Sequence, residues 1–377
     1  MAKLSEMINN TRKLARDHFG EYVEAAFWLV VWLLVSPLVM FSIKHLTSAQ
    51  ELRFPYPWLL IGFSNLGTFL LLSASVLCFP KLWPDRSSRD EVHWKYASVL
   101  GILQGFEVGI GATIIYKISL ALRTEIHMLS PVFMFIVGCS CGIERPTVQL
   151  VLAVVFVAIG GLLVCYGSLT WEGLNLVPLA LVMALISTLR WVLTQKWLAP
   201  ILAANLFGAS RARSASAPIL ALRMSPATSL VGFCVALAQE RGAFAGLLHQ
   251  PHAGQVVLLL CAISLGVSCI LVAEMRAVQL TSALLMSFFV PFHNVTVILM
   301  DVVVKGARVS VVNWLGIVMV AIATGFYSLA RKESRRDLTA PPGHQTAALS
   351  YRSTGDQQTM GGEVSRCLFR PANKLTV

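Results

Sequence analysis

A few ionisable side chains fall inside stretches otherwise built from Leu, Val, Ile, Phe and Ala. Glu107 lies in Gln104-Gly105-Phe106-Glu107-Val108-Gly109, and Arg190 in Ser187-Thr188-Leu189-Arg190-Trp191-Val192-Leu193-Thr194-Gln195. Arg123 and His127 share another apolar run, and His293 and Asn294 follow Pro291 in a third. A charge held in hydrocarbon costs a few kcal/mol or more, so each such group is a functional candidate by default. The chemistry available is recognition of anions. A guanidinium grips phosphate or carboxylate through two parallel bonds, and imidazole changes charge near neutral pH. A structural alternative stays open for Glu107 and Arg190, which could pair simply to hold two helices together. The motifs of catalysis are missing from the sequence: His-Glu-x-x-His, a phosphate loop and a nucleophile elbow. No catalytic residue, metal or cofactor is expected.

Helical spacing places these groups. Gly101, Gly105 and Gly109 are four apart and form one face that lets a neighbouring helix approach closely. At about 100° per residue Glu107 points almost the opposite way, toward a cavity or a polar partner. Arg123, His127 and Pro131 share a face at i, i+4 and i+8, with Glu125 off it. Ser187, Arg190 and Thr194 share another, with Trp191 and Gln195 beside it. Two histidines and an arginine in different apolar runs point to a water-filled site. Glu274, Arg276, Asp301, Lys305 and Arg308 lie near the ends of runs and read as interfacial anchors. Cys139-Ser-Cys141 and His249-Gln250-Pro251-His252 lack further ligands for a metal, and the eight cysteines read as small packing residues rather than a disulfide framework.

The elements that must carry these residues are helices in a membrane. Of 377 residues 56% are hydrophobic and 13% charged, about half the roughly 25% charged residues of soluble domains. Apolar runs occur at about 23–43, 57–79, 94–116, 119–142, 147–167, 174–197, 219–239, 255–273, 281–303 and 309–330. Each is long enough to cross a bilayer as a helix of about 1.5 Å rise per residue, and in lipid only helices satisfy such backbones internally. The first run is too long for a signal-peptide core and is read as a retained span. Before it, residues 1–22 (Leu4, Met7, Ile8, Thr11, Ala15, Phe19, Tyr22) are spaced as an amphipathic helix. The expected organisation is a cytosolic segment 1–22, a ten-helix domain 23–331 with halves 23–167 and 174–330, a flexible loop 203–218, and a disordered tail 332–377. Val157-Ala158-Ile159 before Tyr166 and Val320-Ala321-Ile322 before Tyr327 hint at a repeat. Lys and Arg concentrate on the side that holds the N-terminus, which places both termini in the cytosol. The net charge of +11 sits between apolar runs, so nucleic acid is not an expected partner.

These residues resemble the drug/metabolite transporter superfamily, and within it the triose-phosphate and nucleotide-sugar branch, solute carrier family 35 subfamily C. The resemblance runs from about Trp28 to Arg331. It rests on Arg190-Trp191-Val192-Leu193-Thr194-Gln195, Glu107-Val108-Gly109, Ala273-Glu274, Thr281-Ser282-Ala283-Leu284, Asn313-Trp314-Leu315-Gly316 and the stretch from Met224-Ser225-Pro226 to Glu240. It implies an all-α polytopic fold of ten helices in two inverted halves around a central cavity. It further implies exchange of a nucleotide-sugar or sugar phosphate for a counter-substrate in a Golgi or related endomembrane, the phosphate being held by basic residues. Lys44 matches a family lysine, whereas two further lysines of the pattern fall on His127 and His293, and Asn294 replaces a charged neighbour. The implied substrate site is Lys44, Glu107, Arg123, His127, Arg190, Thr194, His293 and Asn294. Carriage of another small metabolite, and a non-transporting regulator or scaffold of another carrier, are the alternative functions; monomer and homodimer are both open.

Overall fold

The computed structural model describes residues 2–48, 54–79, 92–117, 127, 130–141, 147–165, 175–206, 217–248, 252–305 and 310–339. Eleven helices are described: α1 (Ala2–Ser48), α2 (Pro57–Cys78), α3 (Val92–Lys117), α4 (Ser130–Ser140), α5 (Val148–Cys165), α6 (Val177–Leu206), α7 (Ala217–Gln239), α8 (Ala243–Leu248), α9 (Ala253–Leu280), α10 (Ala283–Lys305) and α11 (Val311–Thr339). Six carry segments long and apolar enough to cross a membrane: Val23–Thr47, Pro57–Cys78, Trp94–Lys117, Val177–Gln195, Pro218–Gln239 and Ala253–Leu280. Four further apolar helical segments are shorter: Ser130–Ser140, Val148–Leu163, Ala283–Val297 and Val311–Tyr327. The chain is a polytopic helical membrane protein. Its outward surface agrees: Val30, Leu34 and Leu38 on α1 and Leu258 and Leu265 on α9 are exposed, faces that lipid tolerates and water does not.

The helix α1 is continuous for 47 residues and takes in residues 2–22 together with the first apolar run. The helices reach into the expected loop 203–218 from both sides, to Leu206 and from Ala217, and the rest of it lies outside the described residues. A compact unit covers Met1–Tyr327 and a second unit Ser328–Val377. Of the latter, helical backbone is described to Thr339, and residues 340–377 lie outside the described residues.

The expected glycine face is what joins α3 to its neighbours. A Cβ on Gly105 would lie 2.7 Å from the Val231 side chain of α7, and one on Gly101 would run into the Met224 carbonyl. Gly232 of α7 in turn meets α2 so closely that a Cβ would lie 2.5 Å from the Gly62 nitrogen. Close approach lets hydroxyls reach across. Ser229 donates to the Gly62 carbonyl at 2.8 Å and Thr228 to the Gly101 carbonyl at 2.9 Å. At the far end of α7, Glu240 lies under the start of α2, and the chain then turns through Gly242, at φ +84°, into α8. The Glu240 carboxylate accepts from the Trp58 and Leu59 N–H groups at 2.8 and 3.0 Å, satisfying two of the donors that a helix start leaves open.

Two large apolar cores and two smaller ones, around Leu100 and Met224 and around Leu72 and Leu271, are buried among the described residues. Of the two large cores, one gathers Leu59, Leu60 and Ile61 of α2 with Ile114 and Ile115 of α3, Met183 of α6 and Ile263 of α9. The other joins Trp32, Val157, Trp191, Phe288 and Tyr327, where the Phe288 and Tyr327 rings stack at 4.0 Å. The two similar stretches at the ends of the halves belong to helices in contact: a Cβ on Gly160 of α5 would meet the Gly316 carbonyl and Val320 of α11 at 2.9 Å.

Candidate functional site

Three ionisable groups from three helices meet in the interior. Arg190 of α6 is 1% exposed. Its Nε donates to Glu107 Oε2 of α3 at 2.6 Å, and its Nη2 donates to Glu274 Oε1 of α9 at 2.6 Å, with a longer bond of 3.4 Å to Glu107 Oε1. The Trp191 indole N–H also donates to Glu274 Oε1, and the Arg190 guanidinium carbon lies 5.8 Å from the Trp191 ring centre, a cation–π distance. The planar fork of arginine explains how one side chain serves two carboxylates at once. Its remaining nitrogen, Nη1, is buried and has no hydrogen-bond partner.

This cluster forms part of the wall of a cavity of about 130 Å³. The wall draws on α1 (Trp32, Ser36, Val39), α2 (Ile61, Asn65), α3 (Gln104, Glu107, Ala112), α6 (Arg190, Trp191), α9 (Ile270, Glu274), α10 (Val290, His293, Asn294) and His127. Opposite charges and neutral amides are thus set in an otherwise aliphatic chamber, where low dielectric strengthens every polar contact. His293 is 3% exposed. Its Nδ1 lies 3.1 Å from Asn294 Oδ1 and its Nε2 2.8 Å from Ser36 Oγ, with Trp32 tilted against the ring at 4.8 Å. With the amide oxygen as acceptor, Nδ1 carries a hydrogen. In the neutral ring Nε2 then accepts from the Ser36 hydroxyl.

The sequence-predicted residues separate into three groups. Glu107, His127, Arg190, His293 and Asn294 line the cavity together. Thr194 and Lys44 make other contacts: the Thr194 hydroxyl donates to the Arg190 carbonyl one turn back at 2.8 Å, and Lys44 Nζ donates to the Ile115 carbonyl at 2.7 Å, tying α1 to α3 beside the cavity. Arg123 lies outside the described residues. Glu274 is a correction. It is not an interfacial anchor but is 4% exposed and bonded to Arg190, because α9 continues to Leu280, well past the end of its apolar run. Arg276, two residues on, does pair near the bundle end, with Glu24 of α1 at 2.7 Å. Arg308 and the side chains of Asp301 and Lys305 lie outside the described residues. Sequence reasoning also passed over Ser36 and Asn65, whose only signal was a polar residue within an apolar run.

No family model matches the sequence. One curated relative, a probable sugar phosphate/phosphate translocator of Arabidopsis thaliana, is 27% identical over 164 residues, which is 41% of this chain and 46% of the relative. A second Arabidopsis thaliana protein described in the same words is 26% identical over 159 residues, again 41% of this chain and 46% of its own. The chain spans about half the length of the curated relatives it matches. A solved crystal structure superposes with a TM-score of 0.56 over 83% of this chain and 98% of the other, at 13% identity; that likeness is one of fold.

Proposed function

We propose that this chain is a secondary carrier that moves a small sugar phosphate across a membrane in exchange for a second anion. One observation carries the reading: a guanidinium with an unpartnered nitrogen is held in the wall of an internal cavity by carboxylates from two other helices. The sugar phosphate/phosphate translocators among its relatives support the cargo class. The volume favours a small cargo over a nucleotide-sugar. An apolar cavity of about 150 Å³ accommodates benzene, so about 130 Å³ suits a compound of a few carbons.

An entering phosphate meets Arg190 first at Nη1. Glu107 is the carboxylate it displaces, since the Glu107 side chain is 13% exposed against 5% for Glu274. Displacement frees the guanidinium fork for bidentate phosphate binding and releases a link between α3 and α6, so occupancy is coupled to the packing of two helices. His127 and His293 stand on the same wall. Ten crossings, two inverted halves, cytosolic termini and residence in a Golgi or ER-related endomembrane belong to the same proposal. Glycosylation acceptors inserted in residues 1–22, 203–218 and the tail test the sidedness: all three should stay unmodified.

The direct test is exchange in liposomes loaded with phosphate. Labelled sugar phosphate should enter only against internal phosphate. Folded Arg190→Lys should lose affinity by about ten- to a hundredfold, the value of one charge-assisted hydrogen bond of about 1.5–3 kcal/mol. Folded wild-type protein that exchanges neither phosphate, sugar phosphate nor nucleotide-sugar would overturn the carrier reading and favour the regulator or scaffold alternative.

A further inference from the structure

Cavity polarity goes beyond charge. Two neutral amides on its wall, Asn65 of α2 and Gln104 of α3, are 1% and 6% exposed. Each has a buried oxygen with no hydrogen-bond partner, Asn65 Oδ1 and Gln104 Oε1, as does Arg190 with its Nη1. The Asn65 amide is oriented by its own helix: Nδ2 donates to the Ile61 carbonyl at 3.0 Å, which leaves Oδ1 as the free acceptor. Other buried polar groups on these helices are satisfied. Ser64, Thr68, Ser264 and Ser268 all donate to backbone carbonyls between 2.7 and 3.2 Å. Arg190 Nη1, Asn65 Oδ1 and Gln104 Oε1 thus gather unpaired atoms on residues of one wall, whereas Ser130 Oγ and Asn313 Oδ1 lack partners singly elsewhere, and leaving such atoms unpaired is unfavourable without a ligand.

The free groups define what would complete them. Nη1 asks for an anionic oxygen, and two amide oxygens ask for hydrogen-bond donors. An anion without hydroxyl groups answers only the first. We propose that Asn65 and Gln104 are specificity-determining residues that accept hydrogen bonds from cargo hydroxyls, so that the cavity selects a short, hydroxylated phosphate ester over a phosphate ester of the same size without hydroxyls. This rests on the carrier reading above. Water molecules are the competing occupants; each needs two to four polar partners, whereas much of this wall is Val39, Ile43, Ile61, Ala112 and Ile115. A site built around hydroxyl acceptors discriminates strongly, because the analogue that lacks the hydroxyl leaves the buried acceptor unpaired.

The test is a ladder of three competitors against labelled-phosphate exchange in liposomes: glycerol 3-phosphate, propane-1,2-diol 1-phosphate and propyl phosphate. Charge and size are nearly constant along it while hydroxyls fall from two to none. For wild-type protein the affinity should drop about tenfold or more over the ladder. In Asn65→Leu and Gln104→Met the ratio of glycerol 3-phosphate to propyl phosphate affinity should fall toward one. Folding is checked in detergent without cargo, where both variants should unfold at or above the wild-type temperature, because each removes an unsatisfied buried atom. Glycerol 3-phosphate should raise that temperature more for wild type than for either variant. A flat ladder in wild type, or a full ladder in both variants, overturns the hydroxyl-reading role while leaving phosphate exchange intact. Absence of phosphate exchange in folded wild-type protein overturns the carrier reading itself, and this inference with it.

Discussion

The seam between α7 and its partners and the cavity wall share two helices, α2 and α3, which serve them in opposite ways. In the seam, small residues bring backbones together and hydroxyls close the gaps: Gly62 meets Gly232, Gly101 meets Met224, and Ser229 and Thr228 donate to carbonyls across the interface. On the wall, Asn65 and Gln104 leave acceptors open and Glu107 is engaged only by an arginine from another helix. The polar groups of the seam are paired within the protein, whereas three atoms of wall residues are not. Buried polar atoms are normally paired, so the contrast separates the part of the bundle that holds shape from the part proposed to recognise cargo.

The largest test of this contrast is Arg190→Met. It leaves Glu107 and Glu274 facing each other without their cation, and removal of one partner from a buried ion cluster costs about 3–5 kcal/mol. Unfolding in detergent should show that loss. Adding Glu107→Gln and Glu274→Gln should restore most of the stability without restoring exchange, which separates the structural role of the cluster from its binding role. Arg190→Met as stable as wild type would show that the cluster does not hold the helices together.

Gly232→Ala probes the seam. Its Cβ would stand 2.5 Å from the Gly62 nitrogen, and backbone cannot swing aside as a side chain can, so a loss of about 1–3 kcal/mol is expected from overpacking. Gly325→Ala on α11 is the control, since nothing lies within 4 Å of its Cβ position; it should be neutral or slightly stabilising. Equal unfolding temperatures for the two variants would mean that the seam is looser than its geometry.

Glu240→Ala removes a cap rather than a contact within the seam, and a loss of about 0.5–2 kcal/mol is expected, as for other helix N-terminal caps. The carboxyl is also a pH probe. Burial pushes it above its ordinary 4.5, while the Trp58 and Leu59 N–H groups pull it down. A raised acid pKa contributes stability that is fully present below the unfolded value and is lost as pH rises through the folded one. Wild type should therefore lose ground to Glu240→Gln as pH rises from about 4.5, measured as the difference between their unfolding temperatures. A constant difference would remove Glu240 from the account of pH dependence. The smallest effect is expected at the bundle end, where Glu24 and Arg276 are 39% and 30% exposed. A double-mutant cycle with alanine should give a coupling of about 0.2–1 kcal/mol that falls with added salt.

Much of this was visible in the residues alone. Glu107 and Arg190 stood out because a lone charge in an apolar run is rare, and the 101–105–109 glycines announced a close helix approach, which α7 fills at Gly101 and Gly105 and Trp58 of α2 fills at Gly109. Glu274 was misjudged because the apolar run stops just before it, whereas the helix does not. Hydropathy records composition, and hydrogen bonds carry α9 on to Leu280. Lys44 matched a family lysine, yet its ammonium is bonded to the Ile115 carbonyl, a partner 71 positions away that no local pattern reveals.

The sequence by itself determined that the chain is a bundle of membrane helices and marked most of the charged groups inside it, because the cost of placing polar atoms in hydrocarbon is a property of each segment. Tertiary structure alone decided which of those groups are satisfied. Arg190 reaches Glu107 across 83 positions and Glu274 across 84, while Asn65 Oδ1 and Gln104 Oε1 reach nothing. Pairing falls away over a few ångströms, and those distances exist only once α2, α3, α6 and α9 have packed.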